Sequence, residues 1–127
     1  TIIDDTYNSS PDSAMAALNL LHDLDGRRLA VLGDMLELGY MEQESHRLVG
    51  RRAAAVAQVL VTVGARGRWI GEEALKVGMA RDRVFIVDDV ETAVATLQEI
   101  IAPHDVILIK GSLGMKMSRI VAALGEG

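Results

Sequence analysis

Three polar segments of the sequence, residues 4–11, 33–39 and 110–116, each follow a short apolar run and contain glycine or proline. Apolar runs of this length are typical of strands that are buried on both faces of a parallel sheet. Ligands of such sheets bind outside the carboxyl ends of the strands. We therefore expect the chemistry of this chain to lie in these three segments.

The first segment opens with two adjacent carboxylates, Asp4 and Asp5. Successive residues of a strand point to opposite faces, which makes them a poor general acid–base pair. Either one could accept two hydrogen bonds from a ribose diol, or could hold its own loop. Tyr7 could stack on a ring or cover the core, and Asn8 is first a turn former and only second a ligand.

The last segment begins with Lys110, which leaves an apolar run and precedes Gly111 and Ser112. We expect its ammonium to project over the edge of the sheet. Gly111 and Gly114 let the backbone approach a ligand, and the following helix offers free N–H groups to an anion. The arrangement suits a carboxylate or a phosphate, although a solvated lysine beside a turn is the alternative. The residue order is not that of a P-loop.

The remaining titratable residues indicate neither a metal site nor a nucleophile. His22, His46 and His104 lack metal-ligand spacing, which favours solvated or core histidines. The chain has no cysteine, and its serines lie in no recognisable nucleophile elbow.

Short apolar runs alternate with helical stretches five times along the chain. Periodicity and end signals predict strands at 2–3, 28–33, 59–63, 84–87 and 106–109. They predict helices from Ser10–Pro11 to before Gly26 and at about 42–57, 69–77, 90–101 and 115–124. We therefore predict one α/β domain over residues 1–127, a doubly wound, mostly parallel sheet with helices on both faces.

Composition excludes several classes of function. The 127 residues carry a net charge of −5, which argues against binding nucleic acid or an anionic membrane through bulk charge. No apolar run approaches the roughly 20 residues of a membrane span, and no basic segment opens a signal peptide. The absence of cysteine is compatible with the cytoplasm. Because the chain begins within a strand-like segment and without Met, we expect an excised domain.

Four motifs carry a family resemblance that covers essentially the whole chain. DDTYNSSP at 4–11 resembles the signature DDSYNANP, and AVLGDMLELG at 30–39 matches its counterpart without a change. HRLVG at 46–50 fits HxxVG, and KGSLGMKM at 110–117 resembles KGSRGMxM. In this order they resemble the C-terminal domain of Mur ligases, most of all the branch that adds D-alanyl-D-alanine to UDP-N-acetylmuramoyl-tripeptide.

Two positions depart from these signatures. Ser10 replaces the second Asn of the first, and Leu113 replaces the Arg of the last. The loss of the Arg removes a bidentate donor for a carboxylate. Lys110, Lys116 or the helix N-terminus could take its place.

The resemblance implies the third domain of a three-domain, ATP-dependent, amide-bond-forming ligase of peptidoglycan synthesis. The N-terminal domain would bind the UDP-sugar, and the central domain would carry the P-loop and the Mg²⁺ ligands. The substrate carboxylate would become an acyl phosphate that the incoming amine attacks. The isolated domain is then expected to be inactive.

The resemblance also implies roles for individual residues. On domain closure Asp4, Asp5, Tyr7 and Asn8 would face ATP. The D-alanyl-D-alanine pocket would be framed by Asp34, Met35, Glu37, Lys110, Gly111 and Ser112. Lys110 is the one candidate for a catalytic role. Asp34 or Glu37 could take a proton from the ammonium group or only bind that group, and binding or loop structure is favoured over a role as base.

Two alternatives stay open. A related Mur-type or folylpolyglutamate-type ligase would take another amino substrate, but GDMLELG at 33–39 is characteristic of the dipeptide-adding branch. A non-enzymatic receiver-like module also has an acid pair after its first strand and a Lys after its fifth. It needs an Asp at the end of the third strand, where this sequence has Thr62, Val63 and Gly64. Only a shifted strand count, with Asp34 in that role, would rescue it.

Overall fold

A parallel sheet forms the centre of the molecule in a computed structural model that describes residues 1–6 and 9–125. Tyr7 and Asn8, both predicted to face a nucleotide, lie outside the described residues. The strands are β1 (Ile2–Asp5), β2 (Arg28–Gly33), β3 (Val59–Val63), β4 (Val84–Val87) and β5 (Val106–Lys110). They are hydrogen-bonded in the order β1-β5-β2-β3-β4, and every pair is parallel.

A helix follows each strand. The helices are α1 (Pro11–His22), α2 (Glu42–Val56), α3 (Gly67–Lys76), α4 (Val90–Ile100) and α5 (Ser118–Gly125). The Ser-Pro start predicted for α1 is present as a capping box, in which the Ser10 side chain accepts from the Ser13 N–H. The α5 helix begins three residues later than predicted, because Lys116 has a φ of 58° and cannot belong to a right-handed helix.

The helices pack on both faces of the sheet, as predicted. One core cluster joins the sheet to α1, α2 and α3 through residues such as Leu18, Ala53 and Ile70. The other cluster joins it to α4 and α5 through residues such as Leu97 and Ile120. Burial on both faces explains why the strands are continuous apolar runs rather than alternating ones.

The strand order changes direction between β2 and β5. The chain runs outward from β2 through β3 to β4, and β5 then returns to lie between β1 and β2. Since α2 and α5 lie on opposite faces, the loops after β2 and β5 diverge here and form the crevice in which α/β sheets bind ligands.

The same topology excludes the receiver-like alternative. Receiver domains have the strand order 2-1-3-4-5, with the first strand inside the sheet. Here β1 is an edge strand, and β3 ends at Val63 before Gly64. Asp34 follows the second strand, so the strand count was not shifted and the receiver-like interpretation is wrong.

Among the described residues, no helix combines the length and apolar character that crossing a membrane requires.

Candidate active-site edge of the sheet

The ends of β1 and β5 are joined by an ion pair between Asp5 and Lys110. The two residues are partners in the parallel register, and Lys110 Nζ donates to Asp5 Oδ2 at 2.7 Å. Lys110 is only 1 % exposed. Its ammonium therefore lies against the neighbouring strand rather than projecting into solvent, and the solvated-lysine alternative is wrong.

Asp4 is the exposed member of the acid pair. Its Oδ1 atom accepts a hydrogen bond from the Thr6 hydroxyl at 2.8 Å, which orders the start of the first loop. Because adjacent strand residues alternate, Asp4 and Asp5 serve different surroundings, as their spacing predicts. Asp4 thus offers a carboxylate at the edge of the sheet, while Asp5 holds Lys110.

Asp34, at the end of β2, caps helix α3. Its side chain is buried, and Oδ1 accepts hydrogen bonds from the backbone N–H groups of Arg66 at 2.9 Å and Gly67 at 2.7 Å. The Arg66 guanidinium lies 3.5 Å from Oδ2. A carboxylate on the first N–H groups of a helix satisfies otherwise unpaired donors and complements the helix dipole. Local sequence reasoning missed this capping role of Asp34. The signal that could have revealed it is that α3 has no capping side chain of its own, so its first N–H groups need an acceptor from elsewhere in the chain.

The loops after β2 and β5 are joined across the crevice by Ser112. Its backbone N–H donates to the Asp34 carbonyl at 3.2 Å, and its hydroxyl accepts from the Leu36 N–H at 3.3 Å. Gly111 is needed for packing here, because a Cβ at this position would lie 2.7 Å from the Cγ of Met117. The 33–39 and 110–116 segments therefore form one connected unit.

His46, on helix α2, supports the 33–39 loop through a hydrogen bond to its backbone. The ring is fully buried, its Nε2 accepts from the Met35 N–H at 2.9 Å, and its Nδ1 lies 2.6 Å from the Glu42 carbonyl. An edge-on contact with Trp69, at 5.7 Å between ring centroids, completes its surroundings. Burial lowers the pKa of His46, so the neutral ring donates from Nδ1 and accepts at Nε2. This is the core histidine that the sequence left as one possibility.

The residues predicted to frame the dipeptide pocket come together, but most of them are buried. Glu37 is exposed, whereas the other predicted pocket residues are buried: Asp34, Met35, Lys110, Gly111 and Ser112. Glu37 has a φ of 64°, an uncommon backbone conformation for a residue other than glycine. The buried members thus form the framework of this edge rather than its surface.

The described residues do not fit a magnesium site. Within 1–6 and 9–125, no group of three or more histidine and acidic side chains is placed to hold a metal ion. The adjacent Asp4 and Asp5 are engaged separately, with Thr6 and with Lys110.

Comparison of the sequence with known proteins identifies the family. Residues 1–113 match the family described as "Mur ligase, glutamate ligase domain". The chain is 38% identical over 129 residues to the UDP-N-acetylmuramoyl-tripeptide–D-alanyl-D-alanine ligase of Bacillus subtilis strain 168, covering 99% of this chain and 28% of that enzyme. It is 32% identical over 127 residues to the ligase of the same name from Escherichia coli K12, covering 98% of this chain and 27% of that enzyme. The chain therefore spans less than a third of the length of these relatives.

Solved structures agree with the sequence comparison. A MurF crystal structure from Acinetobacter baumannii superposes with a TM-score of 0.83 and 30% identity, over 99% of this chain and 28% of that one. The MurF ligase of Thermotoga maritima in complex with ADP gives a TM-score of 0.81 and 25% identity, over 98% of this chain and 28% of that one. The chain belongs to the Mur ligase family, and it carries the glutamate ligase domain of that family.

Proposed function

We propose that this chain is the C-terminal domain of an ATP-dependent ligase that joins D-alanyl-D-alanine to UDP-N-acetylmuramoyl-tripeptide in peptidoglycan synthesis. The observation that carries the proposal is the joining of three signature loops at one edge of the sheet. The Lys110–Asp5 ion pair connects the loops after β1 and β5, and Ser112 connects the loops after β5 and β2. The names of the relatives that match along the whole chain support the same substrate.

The loop after β1 is proposed to face the nucleotide. Asp4 has an exposed carboxylate that could accept two hydrogen bonds from a ribose diol. Asp5 would act through its bond to Lys110, and Tyr7 and Asn8 would complete the nucleotide side of the loop. The relative crystallised with ADP is consistent with a nucleotide substrate.

The proposed reaction has two steps. A carboxylate oxygen of the tripeptide attacks the γ-phosphorus of ATP and releases ADP, which leaves an acyl phosphate. The dipeptide amine then forms a bond to the acyl carbon, phosphate leaves, and the nitrogen gives up a proton. The sequence contains no P-loop, so we assign the ATP phosphates and Mg²⁺ to the central domain. This chain would orient the amine and exclude water when the domains close in the cytoplasm.

The buried residues of the site are proposed to act as framework. Asp34 accepts two backbone hydrogen bonds, and Lys110 is bound to Asp5, so both side chains are committed to neighbouring elements. Glu37 is the predicted substrate-binding side chain that remains exposed. We therefore assign positioning to Asp34 and Lys110 and substrate contact to Glu37.

The proposal is tested with the full-length enzyme by following ADP release from ATP in the presence of UDP-N-acetylmuramoyl-tripeptide. Turnover that requires D-alanyl-D-alanine supports the proposal. Turnover with a single amino acid instead would assign the chain to another Mur-type or folylpolyglutamate-type ligase. No ADP release with either amine would contradict a ligase function. Reactions without the amine give the background rate.

A further inference from the structure

One peptide group just beyond the end of β2 is held from two sides, by a helix residue and by a loop residue. It is the peptide that joins Asp34 to Met35. Its carbonyl accepts a hydrogen bond from the Ser112 N–H at 3.2 Å, and its N–H donates to His46 Nε2 at 2.9 Å. Buried backbone groups beyond the end of a strand need partners outside the strand ladder. His46 on α2 and Ser112 after β5 therefore fix the orientation of this peptide between them.

The surroundings of His46 assign its two ring nitrogens to different tasks. Nδ1 lies 2.6 Å from the Glu42 carbonyl, which can only accept, so Nδ1 carries the proton and Nε2 is left as the acceptor. The ring is fully buried, and its edge contact with Trp69 restricts its rotation. A proton on Nε2 would set an N–H group against the Met35 N–H, where two donors repel. The neutral ring in this orientation is thus what holds the 34–35 peptide.

The charged side chains around the ring do not favour an imidazolium. The Arg66 guanidinium lies 3.1 Å from the Glu42 carboxylate and 3.5 Å from the Asp34 carboxylate. One arginine therefore pairs with both nearby acids, which weakens their attraction for a charged ring. Burial prevails over the remaining attraction and lowers the pKa of His46.

The 34–35 peptide connects His46 to the loop after β5 and to the exposed Glu37. Ser112 holds the same stretch of backbone a second time, because its hydroxyl accepts from the Leu36 N–H at 3.3 Å. Glu37 follows directly, in a left-handed conformation that persists only where the surrounding structure imposes it. A turn of the 34–35 peptide would weaken both bonds of Ser112 and redirect the backbone that carries Glu37. His46 thus acts on both loops through a single peptide group.

We propose that His46 is a positioning residue for the ligation, since it orients the 34–35 peptide and thereby the loops after β2 and β5. The inference rests on the function proposed above and adds a buried residue to it. Ligation requires an amine aligned with an acyl phosphate, and a misplacement of about 1 Å can cost about 100-fold in rate. The loop after β1 is held separately by the Asp5–Lys110 pair, so nucleotide binding is expected to be spared.

The first test compares the variants His46→Asn and His46→Gln in the full-length enzyme at pH 7.5. Asn can donate to the Glu42 carbonyl but is too short to reach the Met35 N–H, whereas the longer Gln can accept from Met35 and gives up Glu42. We expect kcat to fall about tenfold or more in the Asn variant and to stay near the wild-type value in the Gln variant. The KM for ATP should stay within about twofold in both, since the loop after β1 keeps its own anchor. The same two changes at His22, which is exposed at the end of α1, are the matched controls and should leave kcat unchanged.

The second test measures amide hydrogen exchange of the same proteins by mass spectrometry at a single pH. In the Asn variant, the segment that contains Ser112 should exchange about tenfold faster or more, together with the segment that contains Met35. The Gln variant should exchange like the wild type in both segments. A loss of packing confined to position 46 would not reach Ser112, so its exchange reports whether the peptide couples the two loops.

The outcomes separate the positioning role from the ligase function. Equal kcat values for the Asn and Gln variants would overturn the positioning role while leaving the ligase function intact. Faster exchange around Met35 without a change around Ser112 would also overturn it. A wild-type enzyme that does not use D-alanyl-D-alanine would instead overturn the proposed function, and this result is obtained before any variant is compared.

Discussion

Lys110 Nζ and Asp5 Oδ2 lie 2.7 Å apart, and this ion pair fastens the edge strand β1 to the inner strand β5. The β1 strand has four residues and, among the strands that the structure describes, pairs with β5. The pair stands at the last register position, directly before the first signature loop. The Lys110 ammonium therefore fixes the point at which the first signature loop leaves the sheet. Its role is structural, and through this role it positions that loop at the site.

Replacing Lys110 with Met should lower the free energy of unfolding by about 1.5–3 kcal/mol, the range for a hydrogen bond to a charged group. The loss stays below that of a fully buried pair because Asp5 is 41% exposed and keeps contact with water. Urea denaturation of the chain measures the change. Lys76→Met, at an exposed position, is the control and should change the value by less than about 0.5 kcal/mol. Equal effects of the two substitutions would remove the ion pair from the stability of the fold.

Asp34→Ala should destabilise the chain by about 1–3 kcal/mol, because two backbone N–H groups at the start of α3 lose their acceptor. Asp34→Asn keeps an acceptor oxygen and should cost less. Glu99→Ala removes an exposed carboxylate and serves as the control. The same order of midpoints is expected in urea and in thermal unfolding. If Asp34→Ala and Glu99→Ala were equally stable, the capping role would be incorrect.

The sequence predicted β2, β3 and β4 with their observed bounds, because continuous apolar runs between glycine or charged residues leave few alternatives. The start of α5 was less predictable. Lys116 adopts a left-handed conformation that its residue type does not announce, and the helix is delayed to Ser118. Local backbone geometry of this kind depends on tertiary packing rather than on propensity.

The three loops predicted to carry the site lie together at one edge of the sheet, but the direction of their side chains could not be predicted. Lys110 is buried because β1 brings Asp5 beside it, a partner 105 residues away in sequence. Asp34 likewise caps a helix that begins 33 residues later. Such contacts are set by strand order, and the strand order does not follow from periodicity.

His46 makes the stability of the chain depend on pH. Burial lowers its pKa, with the hydrogen bond to Glu42 and the charge of Asp34 acting in the opposite direction and Arg66 acting with burial. The unfolded chain therefore binds a proton more readily than the folded chain. The stabilisation of the folded chain by neutral His46 is fully present above about pH 6.5. It is lost as the pH falls through that value toward the folded pKa, by at most about 1.4 kcal/mol per pH unit.

Comparing His46→Gln with the wild type tests this dependence. The variant should be less stable at pH 7.5, because glutamine does not reproduce the two hydrogen bonds by which the ring bridges Met35 and Glu42. The difference in the free energy of unfolding between variant and wild type should shrink toward pH 5. His104→Asn, an exposed left-handed position that Asn accepts readily, should leave the pH profile unchanged. A nitrogen–proton NMR correlation should find the neutral ring protonated at Nδ1. Protonation at Nε2 would contradict the assigned hydrogen bonds.

Helices α2 and α3 approach most closely at Gly50. A Cβ on this residue would overlap the Ile70 carbonyl oxygen and lie 3.1 Å from the Cβ of Glu73. The close approach brings Arg47 and Arg51 within 3.3 Å and 3.0 Å of the buried Glu73 carboxylate. Burial is the largest single influence on Glu73 and opposes its ionisation, but the hydrogen bonds and positive charges around it, with that of Arg51 the largest, together outweigh burial and lower the pKa of Glu73.

Gly50→Ala should consequently destabilise the chain by about 1–3 kcal/mol, because the added methyl group meets backbone that cannot move without separating α2 from α3. Helix propensity favours Ala over Gly by about 1 kcal/mol, so a net loss reports the packing clash. Gly125→Ala is the control, since a Cβ there meets nothing within 4 Å, and it should be neutral or stabilising. Urea denaturation of both variants decides the matter. A Gly50→Ala variant as stable as Gly125→Ala would mean that the two helices have room to separate, and the Arg–Glu73 contacts would then not depend on this glycine.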